Sequence, residues 1–117
     1  MDMNAELNEK LKDICDTINQ TVDVDKIYLF GSYAYGAPQE DSDFDLYVVI
    51  PDDGPRPIDV MKQIRRALYQ KQEMPLDILV GRAGDFESRR AVSSIERRVY
   101  REGVLIYEQG AEEQRMA

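Results

Sequence analysis

Residues 31–50 read "GSYAYGAPQEDSDFDLYVVI", and the reading of this stretch decides the rest. Its second part, "FDLYVVI" (44–50), is an apolar run rich in β-branched and aromatic residues, which predicts a strand. Side chains alternate along a strand, so Asp43 and Asp45 point to one face while Phe44, Leu46 and Val48 point to the other. The two aspartates would then stand about 6.5–7 Å apart at Cα. Their first part is a Gly-Ser turn, Gly31 and Ser32, which follows a second β-rich run, "KIYLF" (26–30). Gly31 lets backbone approach a ligand closely. A helix starting at Ser32 would present free amides, and a hydroxyl, to a phosphate.

The same patterns extend outward in both directions. Leu7, Leu11, Ile14, Cys15 and Ile18 form the stripe of an amphipathic helix over 4–20, with Asn4 as its N-cap. Residues 32–36 read as a short helix start, and "PDDGPRP" (51–57) as a breaker loop. Ile58, Met61, Ile64 and Leu68 predict a helix over 58–71. "PLDILVG" (75–81) reads as a third strand and "DFESRRAV" as a short helix. "SSIERRVYREG" reads as a helix with a Ser93–Glu96 capping box and Gly103 as its stop. "VLIYE" (104–108) is a last strand, and the tail 109–117 should fray. The order predicts an α/β (α+β) fold: a small mixed sheet of about four strands with helices packed mainly on one face. A single domain over 1–117, with a core of about 4–108, suits the length.

Composition narrows the chemistry. The chain has no His and one Cys, which removes His-based triads, imidazole and thiolate metal sites and intrachain disulfides. Cys15, within an apolar helical stripe, reads as a buried structural thiol. The net charge of -8 disfavours non-specific nucleic-acid binding and favours cations or a basic partner. The apolar runs are too short for a membrane span and the acidic N-terminus is not a secretory signal, so a cytoplasmic location is expected.

Asp77 is a lone acid inside "PLDILV", on the face opposite Leu76 and Ile78. If the second and third strands are neighbours about 4.8 Å apart, it reaches the first pair. Two like charges at 4 Å repel by roughly 4 kcal/mol at an effective dielectric of about 20, so such a cluster calls for a cation. Only hard oxygen ligands are on offer, which suits Mg²⁺ or Mn²⁺. Two ions could share Asp43 and Asp45, with Asp77 holding one of them beside an attacking hydroxyl. An EF-hand reading of "DSDFD" fails, because Leu46 stands where Gly is needed and Asp52 where a bidentate Glu is needed. Asp41, Asp52 and Asp53 read as solvated turn residues, and Tyr33 and Tyr35 as packing residues.

The combination of "GS", ten residues, "DFD" and a later "LDILV" resembles the minimal nucleotidyltransferases of the DNA polymerase β-like superfamily, over roughly residues 26–108. The resemblance implies that Gly31 and Ser32 hold a triphosphate, and that Asp43, Asp45 and Asp77 bind two Mg²⁺ ions, with Asp77 also a candidate general base. It implies transfer of a nucleoside monophosphate, AMP from ATP above all, to a hydroxyl acceptor with release of pyrophosphate. Many relatives carry a basic residue where this sequence has Tyr35, which shifts phosphate charge to metals, amides or another base such as Arg82. Members of this group are often antitoxins paired with helical HEPN toxins, so a partner protein of that type is the implied acceptor. Two alternatives stay open: a binding antitoxin that acts by contact, and a small-molecule nucleotidyltransferase completed by a homodimer.

Overall fold

The computed structural model describes residues 3–31, 44–71 and 76–110. The elements run α1 (Met3–Thr21), β1 (Lys26–Phe30), β2 (Phe44–Ile50), α2 (Pro57–Gln70), β3 (Leu76–Arg82), α3 (Ala83–Arg89), α4 (Ile95–Glu102) and β4 (Val104–Glu108). The strands form one mixed sheet in the order β3-β2-β1-β4. β1 pairs antiparallel with β2 and with β4, and β2 pairs parallel with β3 across the α2 crossover. β2 is therefore an inner strand, which explains why its apolar residues run on without a polar face.

The expected α+β sheet is present, with its helices divided between two faces. Ile27, Leu29, Phe44, Leu46, Val48, Ile50 and Ile78 face the two long helices, meeting Ile14 and Ile18 of α1 and Val60, Ile64 and Leu68 of α2. On the other face Tyr28, Tyr47 and Val49 meet Phe86 of the short α3 and Val99 of the short α4. A strand with apolar residues at both parities needs cover on both sides, and α3 and α4 supply the second layer.

Local chemistry sets the ends of the helices. Pro57 opens α2, where its missing N–H costs nothing. The buried stripe of α2 is Val60, Ile64 and Leu68, whereas Ile58, expected on that stripe, is 47% exposed. α1 is already helical at Met3, so Asn4 lies inside its first turn instead of capping it. The capping box expected at Ser93 is also corrected: the N-cap is Ser94, whose Oγ accepts from the Arg97 amide at 3.1 Å. Glu96 does not reach back to cap. It turns inward and accepts a hydrogen bond from the Tyr47 hydroxyl. Gly103 closes α4 as expected, and the reason is close approach: a Cβ there would lie 2.9 Å from the Leu29 carbonyl oxygen and 2.5 Å from that of Val99.

Cys15 is buried in the main core. Burial, and then the nearby Asp16 charge, push its thiol up to about 12. At pH 8 the native protein should therefore react with Ellman's reagent far more slowly than a free thiol, with full and immediate labelling in concentrated urea. An immediate native reaction would mean the α1 face is not sealed.

Candidate active site

Three of the sequence-predicted residues, Gly31, Asp45 and Asp77, lie at one end of the sheet. Asp45 is the second residue of β2, and its Cα partners are Phe30, the last residue of β1, and Asp77 on β3. Paired residues of neighbouring strands send their side chains to the same face about 4.8 Å apart. Asp45 and Asp77 thus share the face on which Tyr47 and Val49 meet α3 and α4. Asp45 is half-buried between two neighbouring strands, and Asp77, on an edge strand, is exposed. Phe44 and Leu46 are fully buried on the opposite face, which fixes the direction of Asp45 between them.

Gly31 completes this corner. Its φ of +78° is left-handed, a conformation in which a Cβ is strained. A Cβ would also collide with the Asp45 carboxylate, whose Cγ would lie only 2.9 Å away. The bare α-carbon is thus needed twice, for the turn and for the carboxylate lying against it. That second need could not be read from "GS" alone, because nothing in the sequence pairs position 31 with position 45.

Ser32 and Asp43, with Tyr33, Tyr35 and the short helix expected over 32–36, lie outside the described residues. Among the described residues no group of three acids or sulfur or imidazole donors is gathered for a metal. What the described residues bring together is a pair of carboxylates, Asp45 and Asp77, at paired positions of neighbouring strands, with the Asp45 carboxylate against a glycine that has no side chain. That donor set fits a hard divalent cation, since Mg²⁺ is held by one or two carboxylates and completes its octahedron with water and phosphate oxygens.

Arg82, the basic side chain considered for phosphate charge, is placed elsewhere. It ends β3, five residues beyond Asp77, or roughly 16 Å along the strand. Its Nη2 donates to the carbonyls of Gly54 at 3.0 Å and Pro55 at 3.3 Å, fastening the loop after β2. Asp52 does more than face solvent, because its Oδ1 accepts from the Gly84 amide at 2.7 Å. Two open grooves, of about 790 and 530 Å³, lie beside α1 and β4 and beside the 51–55 loop; neither is lined by Asp45 or Asp77. No helix among the described residues is long and apolar enough to cross a membrane.

A family model described as polymerase beta, nucleotidyltransferase, matches residues 9–112. No curated protein matches the sequence. Among solved structures, a Sulfolobus solfataricus protein provisionally named a nucleotidyltransferase superposes with a TM-score of 0.67 at 20% identity, covering 92% of this chain and 85% of that one. A chain of a toxin–antitoxin solved with AMP-PNP gives 0.60 at 20% identity, covering 94% and 80%. A mutant of the toxin–antitoxin MntA-HpeT gives 0.58 at 18% identity, covering 91% and 79%. At these identities the likeness carries the fold.

Two stability measurements check the corner. Gly31→Ala should cost about 1–3 kcal/mol in urea unfolding, from backbone strain and overpacking. In an Asp45→Ala background the overpacking part should vanish, leaving a coupling of about 1 kcal/mol. Asp77→Asn should stabilise the metal-free protein by up to about 1 kcal/mol, because it relieves like charges on paired residues.

Proposed function

The chain belongs to the polymerase beta nucleotidyltransferase family, and from that premise we propose that it transfers a nucleoside monophosphate, AMP from ATP, to a hydroxyl on a partner protein. The observation that carries this reading is the pairing of Asp45 with Asp77 across neighbouring strands, with the Asp45 carboxylate against Gly31. A structural sheet gains nothing from two opposed carboxylates. A site for cation-assisted phosphoryl chemistry requires them.

In this proposal Asp45 and Asp77 hold divalent cations, Mg²⁺ with Mn²⁺ as a substitute, joined by Asp43 from the stretch outside the described residues. When bound, such ions neutralise charge growing on the phosphoryl oxygens and lower the pKa of the acceptor hydroxyl. Gly31 gives the backbone close access to the triphosphate, and Ser32 adds the next amide and hydroxyl. Asp77 stands on an exposed edge strand, so it is the carboxylate an incoming hydroxyl can meet first, and it is the candidate general base. Attack on the α-phosphorus breaks the bond to the β-phosphate oxygen, and pyrophosphate leaves. The acceptor proton passes to Asp77 or to solvent. Orientation and electrostatics do the rest, with no covalent enzyme intermediate.

The partner-protein acceptor is supported by two fold neighbours that are toxin–antitoxin proteins, one of them solved with AMP-PNP. It also suits a chain of net charge -8, which would meet a basic partner, such as a HEPN-type toxin, more readily than bare nucleic acid. The test is transfer of label from α-phosphate-labelled ATP to a co-expressed partner. Label should appear with Mg²⁺ and fall by about a hundred- to a thousandfold in Asp45→Ala or Asp77→Ala, the range seen for loss of a major electrostatic contributor. Full neutralisation of the partner by Asp45→Ala would instead favour an antitoxin acting by contact. Label on a small hydroxyl compound, with a dimer in solution, would move the acceptor away from proteins.

A further inference from the structure

The next side chain along β2 on the face of Asp45 is Tyr47, which is 3% exposed. Its hydroxyl donates to Glu96 Oε2 at 2.9 Å, and its ring leans on Phe86 with centroids 5.1 Å apart. Glu96 is the one buried carboxylate among the described residues. β3 makes room for the pair, since a Cβ on Gly81 would collide with the Tyr47 hydroxyl. A valine at 47 and a leucine at 96 would fill such a layer without desolvating a carboxylate and a phenol. The polar solution therefore asks for a reason beyond packing.

We propose that Tyr47 is a positioning residue for Asp45. Its hydrogen bond to Glu96 ties β2 to α4 one step along the strand from the carboxylate. The other end of α4 is held through Gly103, which lies against the Leu29 carbonyl of β1. α4 is thus braced on the two strands whose ends carry Asp45 and Gly31, beside the Phe30–Asp45 pair. Apolar contacts alone let a strand shift by fractions of an ångström, whereas a directional hydrogen bond fixes the spacing between helix and strand. That spacing keeps the Asp45 carboxylate against Gly31 and level with Asp77. The inference rests on the proposed role of Asp45 in holding metal and adds what sets its aim.

The experiment is Mn²⁺ binding to the whole metal-free chain, read from the paramagnetic resonance signal of free Mn²⁺, beside thermal unfolding. Tyr47→Phe keeps the ring and should weaken Mn²⁺ by about three- to tenfold, at or below the low end of outer-shell losses. Glu96→Gln keeps an acceptor and should retain most of the affinity. Gly81→Ala keeps both partners but displaces the hydroxyl, so it should behave as Tyr47→Phe does and serves if that variant folds poorly. Ile64→Val, on the opposite face, should lower Tm and leave Mn²⁺ affinity unchanged. Wild-type affinity in Tyr47→Phe, with only Tm lowered, overturns the proposal and leaves the pair structural. If the wild-type chain itself binds no Mn²⁺, the metal role of Asp45 fails first. Amide exchange then decides the positioning claim: Tyr47→Phe should speed exchange at Gly31 and Asp45 more than Ile64→Val does, and equal rates overturn it.

Discussion

The register of β2 between β1 and β3 is the constraint on which the rest of the molecule depends. Phe44 and Leu46, both fully buried, point into the layer formed with α1 and α2. Burying each is worth about 1.5–3 kcal/mol, whereas opposing like charges on paired residues cost roughly 0.2–1 kcal/mol. The core therefore wins, and it holds Asp45 out on the other face, opposite Asp77, whether or not the two acids repel. A slip of one residue would put Asp45 into the core and Phe44 outside it. The hydrophobic pattern of one face thus supplies the geometry of the site on the other.

The two faces of the sheet are built differently. The α1 and α2 side is apolar and large, and it carries most of the burial. The α3 and α4 side is an aromatic layer, with Tyr28 stacked on Phe86 at 5.3 Å between ring centroids and Tyr47 tilted against the same ring. Burial first, and then the hydrogen bond and charge of Glu96, push the Tyr47 phenol well above its ordinary range, so it remains a hydrogen-bond donor. The far end of β3 is fastened separately, by Arg82 on the carbonyls of 54–55 and by Asp52 on the Gly84 amide. Polar side chains thus lock the end of the sheet away from the carboxylates.

Much of this was legible in the residue order. The strands at 26–30 and 44–50 stand where their apolar runs end at Gly31 and at the 51–57 loop, and the strand at 104–108 starts just after Gly103. The parity of Asp45 against Phe44 and Leu46 was also legible, because a period of two is a local property. The misreadings share one cause. Ser93 with Glu96 matches a capping box, yet Glu96 is drawn inward by Tyr47, 49 residues away in sequence. Ile58 fits a helical stripe, yet the position of α2 against α1 and β3 selects Val60. Arg82 had the right charge for phosphate, but it stands at the wrong end of its strand.

By itself the sequence determined the strands and the long helices among the described residues, the lack of histidine and the single cysteine, and the turning of Asp45 and Asp77 away from the apolar face. Those properties follow from spacing and composition, which act over a few residues. Tertiary structure decided the strand order, the cover of the second face by α3 and α4, and the meeting of Gly31, Asp45 and Asp77. It did so because pairing of β2 with β3 and close packing at Gly31 are contacts between positions far apart in the chain. Their energies appear only when the core closes and leaves one register that buries Phe44 and Leu46.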